Sequence, residues 1–264
     1  MVFSSGASLC VAQDFPGLAN PFSPIFSFPP LQAEARGTLI WMNLLKGSES
    51  APSVPATFDF KKFWGMDQGA AFLDAMVRLQ VGPFSARLHS NMRYFKGTDS
   101  FPASLAGVGV AAFDYTGLRI GGDFDVLRWG RSRVGIDMDY DLYHPVVTAT
   151  GISELTGPSA MTLGFHAVYN PSYNFYGFSA VGEGRARWSI VGSQISDWEI
   201  SAGLKGPETV LGSVAIMTGY RRTNVAFSDW VTVGPPWPQQ TAVPVRANID
   251  VSMGGWFGQL AYYY

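Results

Sequence analysis

The chain has 264 residues, enough for one large β domain or two small ones, and only 14% of them are charged, a low share for a soluble helical enzyme. A net charge of −2, without a Lys/Arg cluster interleaved with aromatic residues, gives no support to nucleic acid as a partner. The single cysteine, Cys10, excludes an intramolecular disulfide and a cysteine-rich metal site.

Two segments precede the regular part of the chain. Residues 1–13 are apolar and small, and we interpret them as the remnant of a secretion signal cut after Ala12, although they lack a basic n-region. Residues 14–32 are rich in Pro and Phe and have no periodicity, so we expect them to lie extended inside a cavity or along a surface. No window offers the ~20 continuous apolar residues that a membrane-spanning helix needs.

Alternation of apolar and polar residues with a period of two dominates residues 33–264, and no segment keeps a period of 3.6. The pattern is clearest in FLDAMVRLQV, residues 72–81. Every second residue from Leu73 is apolar there, whereas the opposite face carries Asp74 and Arg78. Later segments repeat this pattern. The chain is therefore predicted to be all-β.

The alternating segments predict twelve strands. Most have at least the roughly 9 to 11 residues that a tilted strand needs to cross a bilayer. The predicted strands are 33–45, 56–64, 69–82, 84–96, 104–114, 117–128, 132–143, 159–169, 176–189, 195–205, 209–222 and 245–264. With this count the three long connections, 46–55, 144–158 and 223–244, fall on the same side, which is typical of barrels with long outer loops.

The polar faces carry Arg, Asp and small residues with few Lys, and the apolar faces carry aromatic residues near the strand ends. A soluble β-sandwich or propeller would place its apolar faces inside. An inside-out barrel explains both features better, because its apolar faces contact lipid and its polar faces line the lumen. We predict a closed antiparallel up-and-down transmembrane β-barrel formed by residues 33–264, with about twelve strands in a range of ten to fourteen.

The last predicted strand ends in GQLAYYY, with a final aromatic residue and apolar residues at every second position before it. Gly254-Gly255 is interpreted as a bulge that returns Trp256 and Tyr264 to the lipid-facing side. This ending resembles the C-terminal strand of bacterial outer-membrane β-barrels. The resemblance is to the porin-like superfamily, and no specific family matches motif by motif. It implies a lipid bilayer as partner and the outer membrane of a Gram-negative-type bacterium as location.

The stretch VGIDMDYDLYHP places three aspartates on one strand face, and matching the hairpin faces puts Asp123 opposite Asp137 and Arg119 opposite Asp141. Arginines on other strands face these carboxylates. The resulting transverse field resembles a porin constriction, although the charges equally fit a lumen that they plug by pairing. The residues predicted to line the channel are Asp123, Asp125, Asp137, Asp139, Asp141, Asp197, Glu199, Asp250, Arg78, Arg87, Arg93, Arg119, Arg185 and Arg187.

The functional hypothesis is a porin-like channel that passes small hydrophilic solutes through this lumen, without a catalytic site, a metal or another cofactor. One alternative is a barrel with a closed lumen that anchors or partners other envelope proteins through the N-terminal segment or loop 223–244. Another is an outer-membrane lipid hydrolase, for which only His166 with Ser179, or His89 with Asn91, is a candidate pair.

Overall fold

The computed structural model describes residues 31–51, 54–59, 66, 69–99, 109–129, 131–142, 144–149, 155–171, 175–233 and 243–264. The predicted signal remnant, residues 1–13, and residues 14–30 of the Pro/Phe-rich segment lie outside these ranges. Within the described residues there is no helix long and apolar enough to cross a membrane.

The described residues form fifteen strands, as the period-two alternation predicts for an all-β chain. In chain order they are β1 (Gln32–Ala51), β2 (Val54–Asp59), β3 (Gly69–Val81), β4 (Phe84–Asn91), β5 (Tyr94–Asp99), β6 (Gly109–Asp114), β7 (Gly117–Trp129), β8 (Ser132–Asp141), β9 (Val146–Ala149), β10 (Leu155–Thr156), β11 (Met161–Tyr169), β12 (Ser179–Val191), β13 (Gln194–Lys205), β14 (Ser213–Val233) and β15 (Val243–Tyr263).

Ten of these strands form a closed antiparallel barrel. Their order is β1, β3, β4, β7, β8, β11, β12, β13, β14 and β15, and pairing of β15 with β1 closes the circle. The expected count of twelve is corrected to ten, within the predicted range. Segment 56–64 contributes only β2, which pairs with the end of β1, and segment 104–114 contributes β6, which belongs to a separate four-stranded sheet.

The two ends of the barrel differ. Turns such as Gly82-Pro83 and residues 206–212 join strands at one end, which we call the inner end. The opposite, outer end carries the sheet of β5, β6, β9 and β10, here called the outer sheet. The three predicted long connections do lie at the outer end. Their bounds are corrected, because β1 continues to Ala51 and β14 continues to Val233, so that only residues 234–242 separate β14 from β15.

The outside of the barrel is apolar. Leu39, Leu73 and Ile216 are 61%, 61% and 69% exposed, whereas the alternate side chains of Asp74 and Arg78 are buried. A soluble sandwich would show the reverse. The predicted inside-out arrangement is therefore confirmed for the barrel strands.

A row of aromatic rings marks the outer edge of this apolar surface. The ring centroids of Trp198 and Tyr220 are 5.6 Å apart, those of Tyr220 and Trp256 are 5.3 Å apart, and Trp256 is paired with Trp41 on β1. Such rows lie at the membrane–water interface. Beyond the row the outward positions of β1, β14 and β15 become polar: Lys46, Ser48, Arg222, Asn224, Asn248 and Asp250.

The inward positions change in the opposite sense. Within the apolar band most are charged or polar, with a small apolar cluster of Val181, Ala215, Met217 and Ala261, and beyond the aromatic row they are apolar and pack against the outer sheet. We call the apolar cluster beyond the aromatic row the outer core. Its buried members include Ile40, Met42, Leu44, Phe72, Phe95, Phe113, Val147, Leu155, Val225, Ile249, Val251 and Met253. The part of the barrel that projects from the membrane is thus built like an ordinary soluble domain.

The expected bulge at Gly254-Gly255 is wrong. These glycines pair in continuous register with β1, and the register shift lies at Leu45 on the partner strand. Without a bulge on β15 the alternation does not invert, so Asp250 points outward instead of into the lumen, and it forms an exposed ion pair with Lys46.

Candidate functional site: the charged lumen

The aspartates of β7 and β8 form one wall of the lumen. Asp123 is paired with Asp137 and Arg119 with Asp141, as the hairpin register predicts. Asp137 and Asp139 are each only 1% exposed. Glycine makes room for this wall, because a Cβ atom at Gly121 would lie 1.6 Å from the Asp139 carboxylate. Apart from Asp250, all the residues predicted to line a channel face the interior.

Arginines from the neighbouring strand β4 and from β12, two strands from β8, contact this wall directly. Arg87 lies 2.7 Å from Asp123 and 2.6 Å from Asp139. Arg187 lies 2.7 Å from the second oxygen of Asp139 and also pairs with Asp197. Contact across the bore is made by Arg119 on β7, which lies 3.5 Å from Asp197 on β13, four places away in the ten-stranded barrel, so opposite charges do meet there.

Several members of the network were missing from the predicted set. Asp74 on β3 accepts charged hydrogen bonds of 2.7 Å from both Arg93 and Arg221. Arg221 also binds Glu199. Nearer the inner end, Arg36 binds Glu34 and Glu183. The same alternation with a period of two identifies these residues when it is applied to every strand, and not only to the strands with several charges.

His166 lies in the middle of the network. Its Nδ1 is 2.5 Å from Asp137 and its Nε2 is 2.9 Å from Asp125, so carboxylates occupy both ring nitrogens. The register places His166 opposite Arg185, and Ser179 lies six residues farther along β12, about 20 Å away. The candidate pair of His166 and Ser179 is not brought together.

The second candidate pair does not form a catalytic arrangement either. His89 lies 3.6 Å from Asp74, and the Asn91 amide donates to the Tyr115 carbonyl. Tyr115, in the connection before β7, donates its hydroxyl to Asp141 at 3.1 Å. Burial, reinforced by the Asp141 carboxylate, raises the pKa of Tyr115, so this hydroxyl stays protonated. These histidines and their neighbours hold the interior together by hydrogen bonds.

A metal ion has one candidate position within the described residues. Ligand atoms of Asp123, Asp137 and His166 lie within 4.8 Å of one another. The same carboxylates already contact guanidinium groups, since Arg87 is 2.7 Å from Asp123 and Arg185 is 2.8 Å from Asp137. Fixed cations at these distances repel a divalent ion, so the donor set fits arginine better than metal. The absence of a metal stays a prediction.

The inner end of the lumen contains a cavity of about 430 Å³, here called the inner cavity. Its wall combines inward side chains of the barrel strands with the turn at residues 208–212. It does not extend past the level of Arg78 and Gln80 into the ion-pair layer. Its lining residues are Gln32, Ala33, Glu34, Arg78, Gln80, Arg128, Arg131, Arg133, Val168, Asn170, Lys205, Glu208, Thr209, Val210, Gly212, Ser213, Tyr263 and Tyr264.

A closed antiparallel barrel that exposes an apolar band, bounded by aromatic rings and enclosing buried charges, is suited to a lipid bilayer and to no aqueous surroundings. The chain is a transmembrane β-barrel. No protein-family model matches its sequence, and no curated protein matches it.

Solved structures show distant likenesses. Outer membrane protease OmpT from Escherichia coli has 11% identity and a TM-score of 0.47, over 91% of this chain and 99% of that protein. Outer membrane protein OprG from Pseudomonas aeruginosa has 9% identity and a TM-score of 0.37, over 88% and 95%. The translocator domain of the autotransporter NalP from Neisseria meningitidis has 13% identity and a TM-score of 0.37, over 88% of each chain. The assignment of this barrel rests on its own geometry.

Proposed function

We propose that this chain is a closed outer-membrane barrel that anchors or partners an envelope assembly, and that it is not an open pore. The observation that carries the proposal is that two successive layers obstruct the lumen. The ion pairs around Asp139 occupy the membrane-spanning part on the outer side of the inner cavity, and the outer core fills the part beyond the aromatic row.

The ion-pair layer resists opening for an electrostatic reason. Buried charges are stable only when partners replace the lost hydration, and Arg87 and Arg187 supply that replacement to Asp139 from two sides. A hydrated solute would have to displace these contacts to pass. A barrel of ten strands is also close in size to the eight-stranded barrels whose side chains fill the interior, and far from the sixteen strands of open porins.

The porin-like alternative draws support from one feature, the inner cavity, which is polar and reaches the inner end. Passage of small hydrophilic solutes would further require a path between the ion pairs and through the outer core. Lipid hydrolysis is not proposed, because neither candidate histidine pair is assembled.

Ion conductance in planar bilayers tests the closed lumen. We expect folded wild-type protein, verified by its heat-modifiable migration on gels, to give no steady single-channel current, while an open porin in the same bilayers conducts. Regular current steps in the wild type, with a cation preference that falls in the Asp137/Asp139/Asp141→Asn triple variant, would overturn the proposal in favour of a porin.

The projecting part of β14 and β15 is the surface proposed to meet a partner. Trp230 near the end of β14 is 66% exposed, beyond the aromatic row. A photo-crosslinking residue at position 230 is expected to give a discrete adduct with another envelope protein in cells. The same residue at the lipid-facing position 216 serves as the matched control. Identical adduct patterns at both positions would count against a partner at this surface.

A further inference from the structure

The wall of the inner cavity contains four of the eight buried side-chain atoms that lack a hydrogen-bond partner among the described residues. Arg78 Nη2, Arg133 Nε, Asn170 Oδ1 and the Tyr263 hydroxyl are buried and lack a hydrogen-bond partner among the described residues. All four residues line this cavity. Buried polar groups in native proteins nearly always have partners, so a group of orphaned atoms around one cavity indicates a ligand site.

The chemistry of these atoms defines the ligand. Arg78 Nη2, Arg133 Nε and the tyrosine hydroxyl are donors, whereas Asn170 Oδ1 is an acceptor. Arg78 and Lys205 are each only 4% exposed, so their charges are poorly screened by solvent. The complementary ligand carries an oxyanion for the donors and a hydroxyl for the Asn170 oxygen.

The charge balance of the wall favours an anion. Five cationic side chains line the cavity, and two carboxylates, Glu34 and Glu208, oppose them. Glu208 is shared between Lys205 and Arg131, and Asp123 and Glu34 partly neutralise Arg78 from 3.1 and 3.6 Å. Arg128 and Arg133 share Asp125 at 3.3 and 3.8 Å, and Arg133 also donates to the Gln80 side chain at 2.8 Å. The cationic side chains in the wall are Arg78, Arg128, Arg131, Arg133 and Lys205.

We propose that the inner cavity binds a small molecule that carries a phosphate or carboxylate group beside a hydroxyl. Arg78 and Tyr263 donate hydrogen bonds to the oxyanion, Arg133 and Lys205 contribute charge, and Asn170 accepts a hydrogen bond from the hydroxyl. A volume of about 430 Å³ is that of a small-molecule pocket. The site does not depend on whether the lumen is closed, so conductance and binding are independent measurements.

Isothermal titration calorimetry of the folded full chain in non-ionic detergent tests the site. The probes are glycerol 3-phosphate, glycerate and neutral glycerol. We expect one equivalent of glycerol 3-phosphate to bind, glycerate to bind at the same site, and glycerol not to bind. Absence of heat with both anions at millimolar concentration would refute the proposal, and so would equal binding of glycerol.

Two variants identify the donors. Tyr263→Phe removes the orphaned hydroxyl and keeps the ring that lies 5.1 Å from the Lys205 ammonium, and we expect roughly tenfold weaker binding. Arg133→Gln is expected to weaken binding by a similar factor and to reduce its dependence on salt. Arg246→Gln removes an exposed charge at the outer end and is the matched control, with unchanged affinity. Unchanged affinity in both cavity variants would contradict the proposed site.

A further titration distinguishes a lipid headgroup from a soluble molecule as the source of the oxyanion. Phosphatidylglycerol, which carries the same glycerol-phosphate chemistry, is added to the micelles before titration. Competition with glycerol 3-phosphate assigns the site to a lipid headgroup, and absence of competition assigns it to a soluble molecule of the inner-end compartment. Either result supports an oxyanion site and names its occupant.

Discussion

The ion pairs of this barrel differ greatly in what they contribute, because their burial differs. Arg87 and its two carboxylate partners are almost completely buried, with side chains no more than 1% exposed, whereas Arg131 and Glu208 are about half exposed. Loss of one partner leaves a charge without hydration in the first case and with full hydration in the second.

Arg87→Ala is therefore predicted to destabilise the folded barrel by about 3 kcal/mol, since Asp123 and Asp139 each keep one other arginine partner. The matched control, Arg131→Ala, removes an exposed pair and is predicted to cost less than about 1 kcal/mol. Urea unfolding in lipid vesicles measures both free energies. Equal losses in the two variants would show that the lumen charges are hydrated.

Glu208, in the turn at the inner end and outside the membrane, makes a pH-dependent contribution to the stability of the folded barrel. Burial tends to raise the pKa of Glu208, but hydrogen bonds from Lys205 and Arg131 outweigh it, so the pKa of Glu208 lies below its ordinary value of 4.5. A lowered folded-state pKa means that Glu208 stabilises the barrel above its unfolded-state pKa and loses this effect as pH falls through the folded-state pKa.

Glu208→Gln tests this sign. The wild type is expected to be more stable than the variant at neutral pH, and the difference is expected to shrink below about pH 4.5 and disappear once Glu208 is protonated in both states. Equilibrium unfolding of the two proteins over a pH series gives the difference. If the stability difference between wild type and variant instead widens as the pH falls, the folded-state pKa of Glu208 is raised and not lowered.

At the scale of the strand, barrel closure depends on close contact between β1 and β15. A Cβ atom at Gly255 would lie 1.8 Å from the Trp41 carbonyl oxygen and 2.6 Å from the Met42 Cα. Both contacts are with backbone, which can yield only by separating the strands. Gly258 on the same strand has no atom within 4 Å of such a Cβ.

Gly255→Ala is accordingly predicted to destabilise the closed barrel by about 3 kcal/mol or more, the upper range for overpacking. Gly258→Ala is predicted to be nearly neutral. The fraction of heat-modifiable, folded protein after refolding into detergent distinguishes them. Comparable folded fractions would indicate that the β1–β15 seam is looser than its register suggests.

The direction of each side chain, toward the lipid or toward the lumen, was predictable from the sequence, because lipid outside the barrel and charges inside it impose opposite preferences on alternate residues. This alternation correctly placed Asp123 opposite Asp137. The predicted direction was wrong at Asp250, because the bulge was predicted on β15 whereas it lies on β1. The contacts of Arg221 with Asp74 and of Arg119 with Asp197, which join strands that are not neighbours, were not predictable, because they depend on barrel stagger, which alternation does not encode.

The number of barrel strands was overestimated for a related reason. Segment 104–114 alternates like a barrel strand, yet its β6 lies in the outer sheet, because a half-buried strand shows the same period wherever its apolar face is buried. Sequence alternation identifies a strand but not the sheet to which it belongs.

The whole molecule combines two kinds of interior along one set of strands. In the membrane the interior is ionic, because lipid takes the apolar faces, and beyond the membrane it is apolar, because water takes the polar faces. β1, β14 and β15 pass through both regions, and they therefore reverse their pattern at the aromatic row. The outer core is consequently held by hydrophobic packing, and it touches the ion pairs below it at few points, such as the hydrogen bond from Tyr115 to Asp141 and the contact of Arg93 with the Phe72 ring.

This division predicts that the outer part unfolds separately. Phe95 is completely buried in the outer core and its ring lies 5.3 Å from that of Phe72, so Phe95→Ala is predicted to cost about 3 to 5 kcal/mol locally. Hydrogen exchange should accelerate in β5, β6 and β9 and remain slow in β11 and β12. Phe84→Ala, which truncates an outward-facing phenylalanine next to the inner turn, is the control and should leave exchange in the outer sheet unchanged. If Phe95→Ala instead accelerates exchange equally in all strands, the outer core and the membrane barrel form one cooperative unit and the closure of the lumen depends on both together.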